Sequence, residues 1–200
     1  MNPVVKRNIA KLAEVTENIK NITDTTERTE ISILLAEFEK LTRKEKSIFY
    51  KIFIQDNKLV NKIIKLATIH TDCALLADII SALGNMVVRY KITATDELYD
   101  LFFNLRENKH AHFYIPLFIF HFPQFKNDDR KWNYLLTIPR IPPKKKSERN
   151  LFTIIKYITL SGEVIPDHYK EEIINILKKM ASKSMYNDEY LSLIAKLSKF

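Results

Sequence analysis

Apolar side chains recur along nearly the whole chain at intervals of three and four residues, and that spacing admits one kind of secondary structure. A helix turns once in about 3.6 residues, so positions spaced this way line a single face, whereas a half-buried strand needs alternation by two. Such alternation is essentially absent, and the chain is expected to be all-α. Two apolar templates alternate. The first, with apolar positions at i, i+4, i+5 and i+7, occurs at Ile31/Leu35/Ala36/Phe38, Leu59/Ile63/Ile64/Leu66, Leu98/Phe102/Phe103/Leu105 and Tyr169/Ile173/Ile174/Ile176, with a damaged copy at Leu135/Leu136/Ile138. The second, with i, i+4 and i+7, occurs at Leu76/Ile80/Leu83, Phe113/Leu117/Phe120, Leu151/Ile155/Ile158 and Tyr190/Ile194/Leu197, about 37 to 39 residues apart.

A period of that size belongs to helix-pair repeats, where each pair buries its apolar stripe by stacking on its neighbours. The expected architecture is an α-solenoid of about five stacked helix pairs behind an N-terminal capping helix over 1–22. One domain would span 1–200, with repeats over 29–137 and 147–200. Between them lies a Pro/Lys loop over 138–146, where Pro139, Pro142 and Pro143 interrupt helix formation; a boundary near residue 140 is the alternative division. Any amphipathic helix satisfies the same templates, so an irregular bundle is the competing architecture, and the near-constant period favours repeats. Helix starts are expected at the capping box Thr42-Arg43-Lys44-Glu45, at Asp72, Thr95, Ser147 and Asn187, and around Pro166.

The run Ile79-Ile80-Ser81-Ala82-Leu83-Gly84-Asn85 resembles the Ala-Leu-Gly end of a second repeat helix in the HEAT/armadillo family. The other copies lack that ending, and the family's Asp and Val-Arg pair between helices is missing. The resemblance implies a recognition scaffold. It also raises the alkylation-repair DNA glycosylases, HEAT-like enzymes that work with Trp, Asp and Arg residues in a basic groove. This chain has a single Trp, Trp132, and no residue here matches a glycosylase motif.

Composition narrows the function classes. Gly84 and Gly162 are the only glycines, so phosphate-cradling glycine loops and dinucleotide fingerprints are excluded. The single Cys73 excludes an internal disulfide and a cysteine-rich zinc site, which fits a reducing, cytoplasmic location. Residues 1–20 mix charges into their apolar positions and read neither as a signal peptide nor as a membrane span. The formal net charge of +8 favours acidic partners: an acidic or mixed-surface protein, nucleic acid, or an anionic membrane surface.

No catalytic constellation emerges, and no cofactor is expected. His110 and His112 point about 200° apart on a helix and cannot share a metal, which needs a spacing of four. Asp128-Asp129 suits a helix cap, Glu171-Glu172 a solvated face, and Ser161-Gly162 a turn. Three features suit recognition instead. One is the basic run Arg140, Lys144, Lys145, Lys146 and Arg149. Another is the aromatic segment Phe113–Phe125, expected to be a buried central helix or, if exposed, an interface. The last is the polar face of the second helices, on which Asp78, Ser81, Asn85, Arg89, His112, Thr153, Lys156, Ser192 and Lys196 fall. With Trp132 as packing or contact residue, these point to a non-catalytic binder of a protein, as adaptor, inhibitor or immunity-type protein. Nucleic-acid binding is the alternative, and a subunit of a larger assembly the third reading.

Overall fold

The computed structural model describes residues 3–44, 48–185 and 187–198, and among them there is no strand. The α-helices are α1 (Pro3–Lys20), α2 (Arg28–Lys44), α3 (Lys51–Ile54), α4 (Asn57–Ile69), α5 (Leu75–Tyr90), α6 (Asp96–Asn104), α7 (Ile115–Phe118), α8 (Pro123–Asn127), α9 (Arg130–Thr137), α10 (Lys144–Leu160), α11 (Asp167–Ala181) and α12 (Asn187–Leu197). Short 3-10 turns cover Ile48–Tyr50, Leu105–Glu107, Ile119–His121 and Ile138–Arg140. No helix among the described residues is long and apolar enough to cross a membrane. The chain divides into two compact units, Met1–Pro123 and Gln124–Phe200.

In the N-terminal unit, two helical hairpins lie against each other, α1 on α4 and α2 on α5. The helix α5 is the hub. It also touches α3, α4 and α7, and every residue from Ile79 to Val87 is buried, including Ser81 and Asn85. Those two polar groups are satisfied within the fold: Ser81 Oγ donates to Glu39 Oε1 at 3.0 Å, and Asn85 Nδ2 donates to the Ser81 carbonyl at 2.9 Å. The Ala-Leu-Gly run therefore does not end a helix. Six residues follow Gly84 before α5 closes at Tyr90, and Lys91 caps it in the left-handed conformation at φ 57°. Gly84 instead lies against the Phe118 ring of α7, where a Cβ would collide.

Expected helix starts also move, and Asp72 does not cap α5, which begins after Ala74. Thr42 is buried inside α2, and its hydroxyl donates to the Phe38 carbonyl at 2.9 Å, the bond a threonine makes within a helix. The cap at this end of the chain is Asp56, whose Oδ1 accepts from the Lys58 amide at 2.8 Å to open α4. Thr95 caps α6 as expected, accepting from the Leu98 amide at 3.2 Å.

The aromatic segment is not one helix. Pro116 and Pro123 each open a helical piece, so the chain passes from α7 through a 3-10 turn into α8. Ile115, Ile119, Phe120 and Phe122 are buried, with Phe122 at 5.0 Å from the Phe102 ring and 5.9 Å from Tyr99. Burial therefore accounts for this segment's hydrophobicity.

In the C-terminal unit, α11 packs on α9 and α12, and α10 packs on α12 and on the 3-10 turn Ile138–Arg140. Just before α9, Asp128 accepts from the Arg130 amide at 2.9 Å and also holds the Arg130 guanidinium, while the N-cap residue Asp129 makes no side-chain cap bond. The Pro/Lys loop shrinks to residues 141–143, because Ile138–Arg140 is a 3-10 turn and Lys144 already begins α10. Ser147 is consequently not a cap. It lies fully buried one turn into α10, and its hydroxyl has no hydrogen-bond partner. At the other end of α10, Gly162 at φ 70° turns the chain and Glu163 donates to the Ile158 carbonyl, a six-residue C-terminal closure.

Candidate partner-binding groove

The helices α10 and α12 meet with their N-terminal ends together. Arg149 Nη1 of α10 lies 3.1 Å from Glu189 Oε2 of α12, and one turn further the Phe152 and Tyr190 rings are 4.6 Å apart. Along α10 the residues Lys145, Arg149, Phe152, Lys156 and Leu160 follow one another at spacings of four and three, so they form one stripe. Beside that stripe the two helices enclose an open groove of about 370 Å³, lined by Phe152, Lys156, Leu160, Glu189, Leu193 and Lys196 among others.

Its floor is apolar, because Phe152 and Leu193 belong to the core of this unit. Leu160 stands at the rim and is 68% exposed, a position a helix of this kind usually gives to a polar residue. The charges segregate along the groove. At the end where the helices begin, Asp188 and Glu189 lie in the first turn of α12, where carboxylates meet the positive end of the helix dipole, and Arg149 neutralises Glu189. Further along stand Lys156 and Lys196, and neither takes part in an ion pair among the described residues. The groove thus presents an apolar floor flanked by two exposed ammonium groups.

The structure brings three sequence-selected residues to this site: Lys156 and Lys196 on its walls and Arg149 at its head. Lys144, Lys145 and Lys146 are exposed in the first turn of α10, and Arg140 is exposed at the end of the preceding 3-10 turn. Trp132 is elsewhere in the same unit and is only 3% exposed. It stacks on Tyr169 with ring centroids 6.2 Å apart and carries the Lys131 ammonium 4.6 Å over its face, which leaves no surface for a partner.

Arg89 and His112 belong to the N-terminal unit and form no part of the groove. Both are half-buried. The Arg89 Nε is enclosed without a hydrogen-bond partner, and burial, followed by the neighbouring His110, holds the His112 imidazole below its ordinary pKa. That places neutral imidazole at neutral pH. Among the described residues, no three His, Cys, Asp or Glu side chains come close enough to hold a metal ion. Leu160 and Leu193 are not among the residues expected from sequence, because the exposure of Leu160 shows only in the fold.

Comparison with protein-family models, with characterised proteins and with solved structures finds no match to this chain.

Proposed function

We propose that this chain works by binding a protein, and that the groove between α10 and α12 receives an amphipathic, acidic segment of it. The observation carrying this reading is the juxtaposition of an apolar floor and the exposed Leu160 with the unpaired Lys156 and Lys196. Helix-in-groove recognition uses the same two ingredients: apolar anchors for affinity and charge for orientation. Within this reading the chain is an adaptor, inhibitor or immunity-type protein that acts by fit rather than turnover.

The test compares affinity capture by the parent chain with capture by Leu160→Asp and by the double variant Lys156→Glu/Lys196→Glu. All three side chains lie at the surface or the groove wall, so the variants retain the fold. A specific partner retained by the parent and lost by both variants supports the groove. Equal retention by either removes it as the docking site.

One observation favours nucleic acid as a second reading. Lys144, Lys145 and Lys146 occupy the first turn of α10, which contains no acidic residue, although cations there oppose the helix dipole by about 0.3–1 kcal/mol each. An anionic backbone beside that turn would reverse the penalty. Fluorescence anisotropy with duplex DNA and single-stranded RNA across a salt series decides it: this reading needs binding that persists at physiological salt and weakens on charge reversal of the three lysines.

A further inference from the structure

The segment that follows α2 turns its apolar side chains outward. Tyr50 and Ile54, four residues apart, are fully buried, while Ile48 and Ile52, also four apart, are 72% and 78% exposed. Phe49 lies on the same outward face and is 52% exposed. A short amphipathic turn on a water-facing surface should present polar residues there. This one places three large apolar side chains side by side.

Exposed cations stand beside that face: Lys51 next to Ile52 at the start of α3, and Arg43 in the last turn of α2. Two long-range hydrogen bonds bring the end of α5 to the same place. The Tyr90 hydroxyl donates to the Thr42 carbonyl at 2.9 Å, and Gln55 Nε2 donates to the Tyr90 carbonyl at 2.7 Å. The exposed Lys91 is therefore anchored beside the ends of α2 and α3. Acidic groups near this end are already engaged: Glu39 pairs with Arg43 at 3.3 Å and Asp56 with Lys20 at 2.9 Å.

We propose that this end of the N-terminal unit docks on an anionic membrane surface, with Ile48, Phe49 and Ile52 entering the headgroup boundary and Lys51 and Lys91 meeting lipid phosphates and carboxylates. Apolar side chains projecting from one turn, with long cationic side chains beside them, match the two components of interfacial binding. Lysine and arginine stems lie along the apolar layer while their charges stay at headgroup level. An acidic protein would satisfy the charge but would also need a cleft shaped to three protruding side chains, which a deformable bilayer supplies without one.

The experiment is sedimentation of the full chain with vesicles of phosphatidylcholine alone and of phosphatidylcholine with phosphatidylserine, at physiological salt. The expected result is binding to the anionic vesicles alone, with Ile48→Ser/Ile52→Ser lowering the partition coefficient by at least about tenfold. Lys51→Glu/Lys91→Glu lowers it comparably and flattens its salt dependence. Circular dichroism confirms that each variant keeps its helical content. In a Phe49→Trp chain, the emission of the introduced indole shifts to the blue when anionic vesicles are added. Absence of binding to anionic vesicles overturns the proposal. Undiminished binding by the double serine variant does so too, since it would reduce the effect to the chain's general positive charge.

Discussion

The Lys131 ammonium is paired with the Glu163 carboxylate, joining the start of α9 to the turn after α10, and Lys131 is only 2% exposed. The same nitrogen donates to the Lys126 carbonyl and lies over the faces of Trp132 and Phe125. Lysine is rarely buried so completely without a partner, because desolvating its charge is costly. Removing one member of the pair is therefore worse than removing the charge altogether. Glu163→Gln leaves the buried ammonium uncompensated and should destabilise the protein by about 3 kcal/mol or more, whereas the double change Lys131→Met/Glu163→Gln, which leaves neither charge behind, should cost less. Urea unfolding of the single and double variants checks the order; a Glu163→Gln chain no less stable than the double variant would show that the carboxylate is dispensable.

Gly84 offers a test in which helix propensity and packing disagree. Alanine is the better helix former by about 1 kcal/mol. Its Cβ, however, would meet the Phe118 ring, a bulky side chain held against α5. Overpacking of this kind costs about 1–3 kcal/mol, and the net effect of Gly84→Ala should be destabilising. A raised melting temperature would mean that Phe118 moves aside freely.

Asp56 and Asp78 lie in the same unit and respond to acid in opposite senses. The hydrogen bond from Lys20, assisted by the Lys58 amide, holds the Asp56 carboxyl below its ordinary pKa. Its contribution is complete above the ordinary aspartate value of about 3.9 and is lost as pH falls through the lower folded value. Burial, followed by the nearby Glu39 carboxylate, pushes Asp78 up. Here the folded state holds its proton more tightly, so stability declines as pH rises from about 3.9 through the folded value and then levels off. Asp56→Asn should destabilise at pH 7, and Asp78→Asn should stabilise there, with the second difference vanishing in acid. Melting curves of both variants between pH 3 and 7 measure this, and parallel profiles for parent and Asp78→Asn would disprove the second half.

Ser147 carries a buried hydroxyl without a partner. Its removal deletes a desolvation penalty and leaves a side chain that suits a helix. Ser147→Ala should raise stability by about 1 kcal/mol, readable in a denaturant midpoint at unchanged slope. A loss of that size would reveal a hydrogen bond to an internal water.

The helices were legible in the sequence wherever burial acts on one face. All of Leu59/Ile63/Ile64/Leu66, Leu98/Phe102/Phe103/Leu105 and Leu151/Ile155/Ile158 are buried as their spacing implies. Between 113 and 125 the sequence is apolar on every side, so it carries no phase, and the breaks at Pro116 and Pro123 set the outcome. Caps were harder to read for a different reason. A threonine or serine hydroxyl bonds as readily to a carbonyl within a helix as to an amide at its start, as Thr42 does. At the groove, Lys156 and Lys196 were recognisable because they fall off the apolar stripe. The pairing of Arg149 with Glu189, forty residues apart, was not, since nothing local couples them.

Within the N-terminal unit, α5 has consequences for how that part of the protein can change. A chain whose modules touch only their neighbours can lose or gain a module at one end and keep the rest. Here α2, α3, α4 and α7 all rest on the same helix. Shortening or duplicating any one of them would strip or crowd a shared surface. The unit is therefore expected to melt in one step and to vary between relatives by substitution at its surface, with its number of helices held constant.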